Sequence, residues 1–99
     1  MRLIYHPDAE VEVIEAARFY EGRSPGLGDR FLREFDAAIS EIQSAPRRWR
    51  VVEEDLRRFV MRRFPFGIYY RVEGDDGLRI LVVKHHSRHP DYWRYRLNR

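Results

Sequence analysis

The chain predicts a small α+β domain in which a helical hairpin lies on one face of an antiparallel sheet. Three observations point there. Apolar residues recur at helical spacing through the first half, the period changes from 3.6 to 2 beyond Pro46, and turn-forming residues divide the second half into three alternating runs. With 99 residues, 43% of them apolar, there is enough for one core and no room for another, so residues 1–99 are expected to form a single domain.

The elements follow in order. "RLIY" (Arg2–Tyr5) reads as a short strand closed by His6-Pro7, placed at or near the sheet edge. Asp8 is the expected cap of a helix reaching Glu21, with Glu10 and Glu12 in its first turn and Val13, Ala16, Ala17 and Tyr20 at helical spacing. After "RSPGLG" a second helix starts at Ser24-Pro25 or only at Asp29. Its stripe of Phe31, Phe35, Ala38, Ile39 and Ile42 stops before Pro46, which gives an end near Ala45. "RRFVMRRF" (Arg57–Phe64), "GIYYRV" (Gly67–Val72) and "LRILVVKHH" (Leu78–His86) are strands, joined through Pro65 and "EGDDG" into an antiparallel meander. The order is β-α-α-β-β-β.

Composition excludes several functions. There is no cysteine, so disulfides, thiolate-bound zinc and thiol nucleophiles are absent. No apolar run reaches the ~18–20 residues that span a bilayer, and the first ten residues lack the apolar stretch of a signal peptide, so a cytoplasmic protein with no membrane partner is expected. The net charge of +3 is unevenly spread. Residues 1–45 carry five Arg against nine Asp/Glu, and residues 46–99 carry fourteen Arg/Lys against seven. Eighteen of the nineteen cations are Arg, which suits bidentate contact with phosphate or carboxylate but also follows from GC-rich codon usage.

Strand alternation sorts the second half into faces. Phe59 and Met61 oppose Arg58, Val60 and Arg62, while Ile68, Tyr70 and Val72 oppose Tyr69, Arg71 and Glu73. If the helices cover the apolar face, Arg58, Arg62, Tyr69 and Arg71 are left on an open basic one. From its end hangs "HHSRHPDYWRYR", the densest chemical stretch in the chain.

That stretch supports several readings. His85 and His86 are adjacent on a strand and point to opposite faces, so only one of them can join His89 and Asp91, and no metal site is expected. A nuclease needs a base for the 2′-hydroxyl, cations on the phosphate and an acid for the leaving oxygen, and His85 or His86 with Arg62, Arg88 and Tyr92 forms such a set. A protein-binding surface needs none of this, and Arg88, Tyr92, Trp93 and Arg96 have the composition of a binding hot spot. The structural alternative makes each histidine a strand-end residue bonded to a carbonyl and Trp93 a lid over the core.

Together, "FYEGRSPGLGDRFLREFDAAISEIQSAP", "RRFPFGIYYRV" and "ILVVKHHSRHPDYWRYR" resemble the RelE/ParE superfamily of toxins from type II toxin–antitoxin systems, and within it the ParE-like plasmid-stabilisation branch. The resemblance covers nearly the whole chain. It implies a β-α-α-β-β-β sandwich, no cofactor, a cognate antitoxin with a small acidic toxin-binding segment, and one of two targets. ParE-like members inhibit DNA gyrase, whereas RelE-like members cut mRNA in the ribosomal A site. Gly67 stands where the nucleases carry an Arg before the Tyr of the middle strand, which leaves Arg62, Arg63 or Arg88 to compensate. Gyrase inhibition is the reading this departure favours. The nuclease, and an inactive homologue that only binds its antitoxin, are the alternatives. The target-binding set is then Arg58, Arg62, Tyr69, Arg71, Arg88, Tyr92, Trp93 and Arg96, with only weak, non-specific affinity for nucleic acid.

Overall fold

The computed structural model describes residues 2–98. β1 (Arg2–Tyr5) leads into α1 (Pro7–Arg23) and α2 (Leu27–Ser44); β2 (Val51–Glu53), β3 (Leu56–Val60), β4 (Phe66–Glu73) and β5 (Gly77–His85) follow, and a short 3-10 helix, Arg94–Leu97, closes the chain. The five strands lie in the order β1-β5-β4-β3-β2. β1 runs parallel to β5 at one edge, and the other pairs are antiparallel. The α+β architecture, the meander and the edge position of Arg2–Tyr5 are those the sequence predicts. Neither helix is long and apolar enough to cross a membrane.

α1 begins one step earlier than expected. Pro7 has no N–H to satisfy and a φ suited to a first helical position, so the cap falls to His6, whose Nδ1 accepts the Asp8 N–H at 3.1 Å. Asp8 sits inside the first turn. α2 starts at Leu27, between the two expected starts, because Gly26 adopts φ 87° and no side chain of its own caps the helix. Its first amides instead find Glu21 from the end of α1, which accepts the N–H groups of Gly26 and Gly28 at 3.0–3.1 Å. The "GLG" motif therefore ties one helix to the next.

The stripe from Phe31 to Ile42 is buried as expected and packs on Phe59, Ile68, Tyr70, Leu78, Ile80 and Val83. β3 is shorter than the predicted Arg57–Phe64. Past Val60 the chain turns back on itself, the Met61 N–H donating to the Phe66 carbonyl at 2.9 Å across Pro65, which has no N–H to extend a ladder. β2 was not foreseen, being three residues long and too short to show a period.

The register slips between β4 and β5. Tyr69 faces Val82 and Tyr70 faces Ile80, so Leu81 is an inserted residue and a β-bulge turns both Leu81 and Val82 away from the helices. They form a second cluster with Leu56 and Trp93, flanked by Tyr69, Tyr92 and Leu97. This corrects the expected open face: the C-terminal segment folds back over its middle instead of hanging free.

The interhelical contact is testable at two glycines. A Cβ on Gly28 would stand 2.5 Å from the Ala17 backbone carbonyl, whereas one on Gly22 meets nothing within 4 Å. Gly28→Ala is expected to cost about 1–3 kcal/mol in urea melts, and Gly22→Ala to add about 0.5–1 kcal/mol.

Candidate functional site

Glu12 lies on the buried side of α1 between Ala9 and Ala16, with only 7% of its surface exposed. Oε1 accepts the Val83 N–H at 2.8 Å, and Arg96 closes a two-pronged pair on both oxygens at 2.8 and 3.0 Å. The Tyr92 hydroxyl donates to Oε2, and Arg88 stands 3.6 Å from the same oxygen. Arg96 also donates to the Leu81 carbonyl at 2.9 Å. Burial opposes the charge on Arg96, but Glu12 and the Tyr95 hydroxyl outweigh it and raise the guanidinium pKa. Burial raises the Tyr92 phenol, and its bond to Glu12 raises it further.

The strand arginines are sorted by carboxylates. Arg71 is buried, and its Nε donates to Asp55 at 2.9 Å; Arg79, directly opposite across the strands, donates to Glu73 at 2.8 Å. Both line a recess of about 680 Å³ on the outer face, beside His6 and Arg96. Arg62 is held by Glu41 of α2 through two bonds of 2.9 and 3.0 Å, and Arg63 by Glu34 at 3.0 Å. Arg94 forks onto Glu53 and also binds Asp91.

Two further cations, Arg58 and Lys84, flank Gly67. Arg58 is exposed, and its stem lies over Gly67: a Cβ there would be 3.5 Å from Arg58 Cδ and 3.3 Å from Tyr69 Cε1. Neither Arg62 nor Arg63 takes the position that Gly67 leaves empty; Arg58, from the adjacent strand, does. Lys84 pairs with Gly67 across the ladder and is 7% exposed, its Nζ reaching the His85 and His86 carbonyls at 3.1 and 3.4 Å. Burial lowers the Lys84 pKa, with Arg58 and Arg88 adding to the effect.

The structure divides the expected nuclease set. His85 Nδ1 accepts the Ser87 N–H at 3.0 Å, so the neutral ring carries its proton on Nε2; the residue lines a recess shared with Glu15 and Arg88. In that form it is a donor and not a base. Tyr92 is committed to Glu12 and stacks under Arg88, whose guanidinium is 3.6 Å from its ring centroid. His86 is exposed, and its pKa is lowered by partial burial and then by His85, Lys84 and Arg58. His89 Nδ1 accepts the Asp91 N–H, and no group of three or more potential metal ligands occurs among the described residues. Of the expected target-binding residues, Arg58, Arg62 and Arg88 face solvent, Tyr69 and Tyr92 are half-buried, and Arg71, Trp93 and Arg96 are buried.

Sequence reading placed Glu12 in a first turn and missed its role. The signal was present, because Ala9, Glu12 and Ala16 share one helical face and a carboxylate between two alanines on a core-facing stripe requires a buried partner. Lys84 was likewise counted only as charge.

A helical hairpin on a sheet whose first strand runs parallel to its last, with a C-terminal segment folded over the other face, is the RelE/ParE-like α+β sandwich. Residues 3–90 match the family described as "ParE toxin of type II toxin-antitoxin system, parDE", and the chain belongs to that family. No curated protein matches the sequence. Among solved structures, a chain of the chromosomal ParDE TA system from P. aeruginosa superposes with a TM-score of 0.62 at 15% identity, covering 86% of this chain and 95% of that one. At that identity the likeness carries the fold alone.

Two measurements probe the site. Glu12→Ala leaves Arg96 and the Val83 N–H without their partner and is expected to cost about 3–5 kcal/mol in chemical denaturation, with Glu12→Gln, which keeps an acceptor for that N–H, costing less. Because the folded His86 pKa lies below its ordinary 6.5, its contribution to stability is full above that value and is lost as pH falls through the folded value. An NMR titration should place His86 below 6.5, and His86→Gln should flatten that part of the stability profile.

Proposed function

We propose that this ParE-family chain acts in the cytoplasm as a toxin that arrests growth by binding DNA gyrase, and that a cognate antitoxin neutralises it. The observation that carries the binding reading is the disassembly of the nuclease set: His85 Nδ1 is taken up by the Ser87 N–H, the Tyr92 hydroxyl is spent on Glu12, and Arg62 is spent on Glu41. Poisoning by binding requires only a rigid surface. Exposed Arg58, paired across the ladder with Tyr69, and exposed Arg88, stacked on Tyr92, supply one.

The antitoxin surface we favour is the outer side of the helical hairpin. Ile14 and Leu32 remain 49% and 38% exposed, and two adjoining recesses of about 200 and 250 Å³ share Leu32. An amphipathic helix laying its apolar face there is the fitting occupant. Glu10, Asp36, Glu21 and Asp29 outnumber Arg18 along the groove, so that helix carries basic flanks. The acidic residues expected of the antitoxin then belong to a portion reaching the basic sheet. The exposed β2 edge, with Val51 and Val52, is a second place for an extended segment.

One observation favours ribosome-dependent mRNA cleavage as the second reading. His86 is held neutral at pH 7 beside Lys84 and Arg58, which is a base next to two cations.

Induction without antitoxin is expected to produce filaments and a DNA-damage response while bulk mRNA stays intact. Codon-phased cuts seen by primer extension and abolished by His86→Ala would instead establish the nuclease. Removing residues 91–99 would strip Trp93 and Arg96 from the fold, so Arg58→Ala and Arg88→Ala are the cleaner probes of target binding. For the antitoxin, Ile14→Asp and Leu32→Asp should each weaken its binding by about 2–4 kcal/mol without lowering the melting temperature, as read by co-purification and titration calorimetry with the neighbouring gene product.

A further inference from the structure

We propose that the β2 edge of one chain pairs antiparallel with the β2 edge of a second copy, joining two sheets into one. The pairing leaves the helical groove free for an antitoxin and does not depend on the gyrase reading.

β2 is the last strand of the sheet and only three residues long, so what it can pair with depends on which backbone groups face out. The Arg58 N–H donates to the Arg50 carbonyl at 3.1 Å, and Val51 lies opposite Arg57. Alternation along an antiparallel ladder then turns the backbone groups of Arg50 toward β3 and those of Val51 outward. An open strand edge of this kind is a template for another strand. Val51 and Val52 are 41% and 37% exposed, which gives the edge an apolar centre.

The charges name the occupant. Around the two valines the chain reads "RRWRVVEED", with Arg47, Arg48 and Arg50 on one side and Glu53, Glu54 and Asp55 on the other. Two such strands related by a two-fold axis run in opposite directions, so the arginines of each meet the acids of the other. With Val52 on the axis, Arg50 stands opposite the partner's Glu54, twice per dimer. Opposite charges at facing positions stabilise a strand pair, and like charges there destabilise it. Glu53 is forked by Arg94 and Asp55 holds Arg71, whereas Arg50 and Glu54 are exposed and form no ion pair among the described residues. A segment carrying charge of one sign would match only half of this edge; a second copy matches both halves.

The edge is also held in place before pairing. Arg57 reaches the Arg47 and Trp49 carbonyls at 3.0 and 2.7 Å, which fixes the run leading into β2 and lowers the entropy lost on association. A three-residue edge still buries far less than the ~800 Å² per partner of a stable complex, so the dimer is of micromolar class or weaker.

The test is sedimentation equilibrium on the full chain freed of antitoxin, over a micromolar to millimolar concentration series. A monomer–dimer equilibrium that weakens as salt rises is expected. Arg50→Glu and Glu54→Arg should each weaken it at least about tenfold, because each sets two like-charge pairs across the interface. Mixed together, the two variants regain opposite charges at both positions and should form a heterodimer of about parental affinity. Both side chains are exposed, so melting temperatures should stay at the parental value. Ile14→Asp, on the helical groove, should leave the dimer unchanged.

The proposal is overturned if the parent stays monomeric through the millimolar range, if either single reversal dimerises like the parent, or if the mixed variants fail to associate. Loss of the dimer in Ile14→Asp with both reversals unaffected would move the interface to the helical groove and overturn it as well. A monomeric parent whose antitoxin binding is weakened by both reversals would assign the edge to the antitoxin in place of a second copy.

Discussion

The bidentate pair between Glu12 and Arg96 is the interaction on which the second layer of this protein depends. β1 ends at Tyr5 while β5 runs on to His85, so beyond Ile80 the strand has no neighbour on that side. The last main-chain bond across this edge is from the His6 N–H to the Ile80 carbonyl at 2.8 Å. The next groups, the Leu81 carbonyl and the Val83 N–H, lie under α1, where leaving each unpaired would cost about 1–3 kcal/mol. Arg96 takes the first and Glu12 the second. Two side chains thus stand in for the missing residues of an edge strand, and each also neutralises the other.

This arrangement decides where the C-terminal segment goes. For Arg96 to reach Glu12 the chain must return across the outer face of the sheet, which places Trp93 on Leu81, Val82 and Tyr69. The bulge at Leu81 makes that return worthwhile, because it turns two apolar side chains outward where a regular strand would turn one. The basic outer face is divided as a result. Its hairpin end holds Arg71 and Arg79, matched to Asp55 and Glu73, and its far end holds exposed Arg58 and buried Lys84, whose Nζ rests on the His85 and His86 carbonyls. Chain charge alone describes neither half.

The other layer follows a different logic. Gly28 brings α2 against the Ala17 carbonyl of α1, and Glu21 caps α2 across the turn. A hairpin this tight buries Phe31 and Phe35 on the sheet but leaves Ile14, Leu32 and Phe19 on the side away from it. Close packing of the helices and exposure of an apolar outer groove are two results of one geometry. The surfaces proposed for antitoxin and target therefore lie on opposite layers of the sandwich.

Local pattern was enough for the parts of this fold that depend on short-range chemistry. The α2 stripe, the meander, the proline boundaries and the family phrases all sit within stretches of a few turns or one strand, where periodicity acts directly on which residues are buried; the first helix, by contrast, runs through Gly22 to Arg23. It failed where a residue's meaning came from a distant partner. Glu12 reads as a first-turn acid until Arg96, Tyr92 and Val83 arrive from the other end of the chain. Arg71 and Arg96 look like surface charge until Asp55 and Glu12 bury them. Gly67 reads as a lost arginine until Arg58 is seen lying over it from the neighbouring strand. Charge neutralisation is set by distance in space, and spacing along the chain does not encode it. Which cations are free to bind was therefore decided by the tertiary structure, while both helices, the first strand and the three-strand meander were already legible in the sequence.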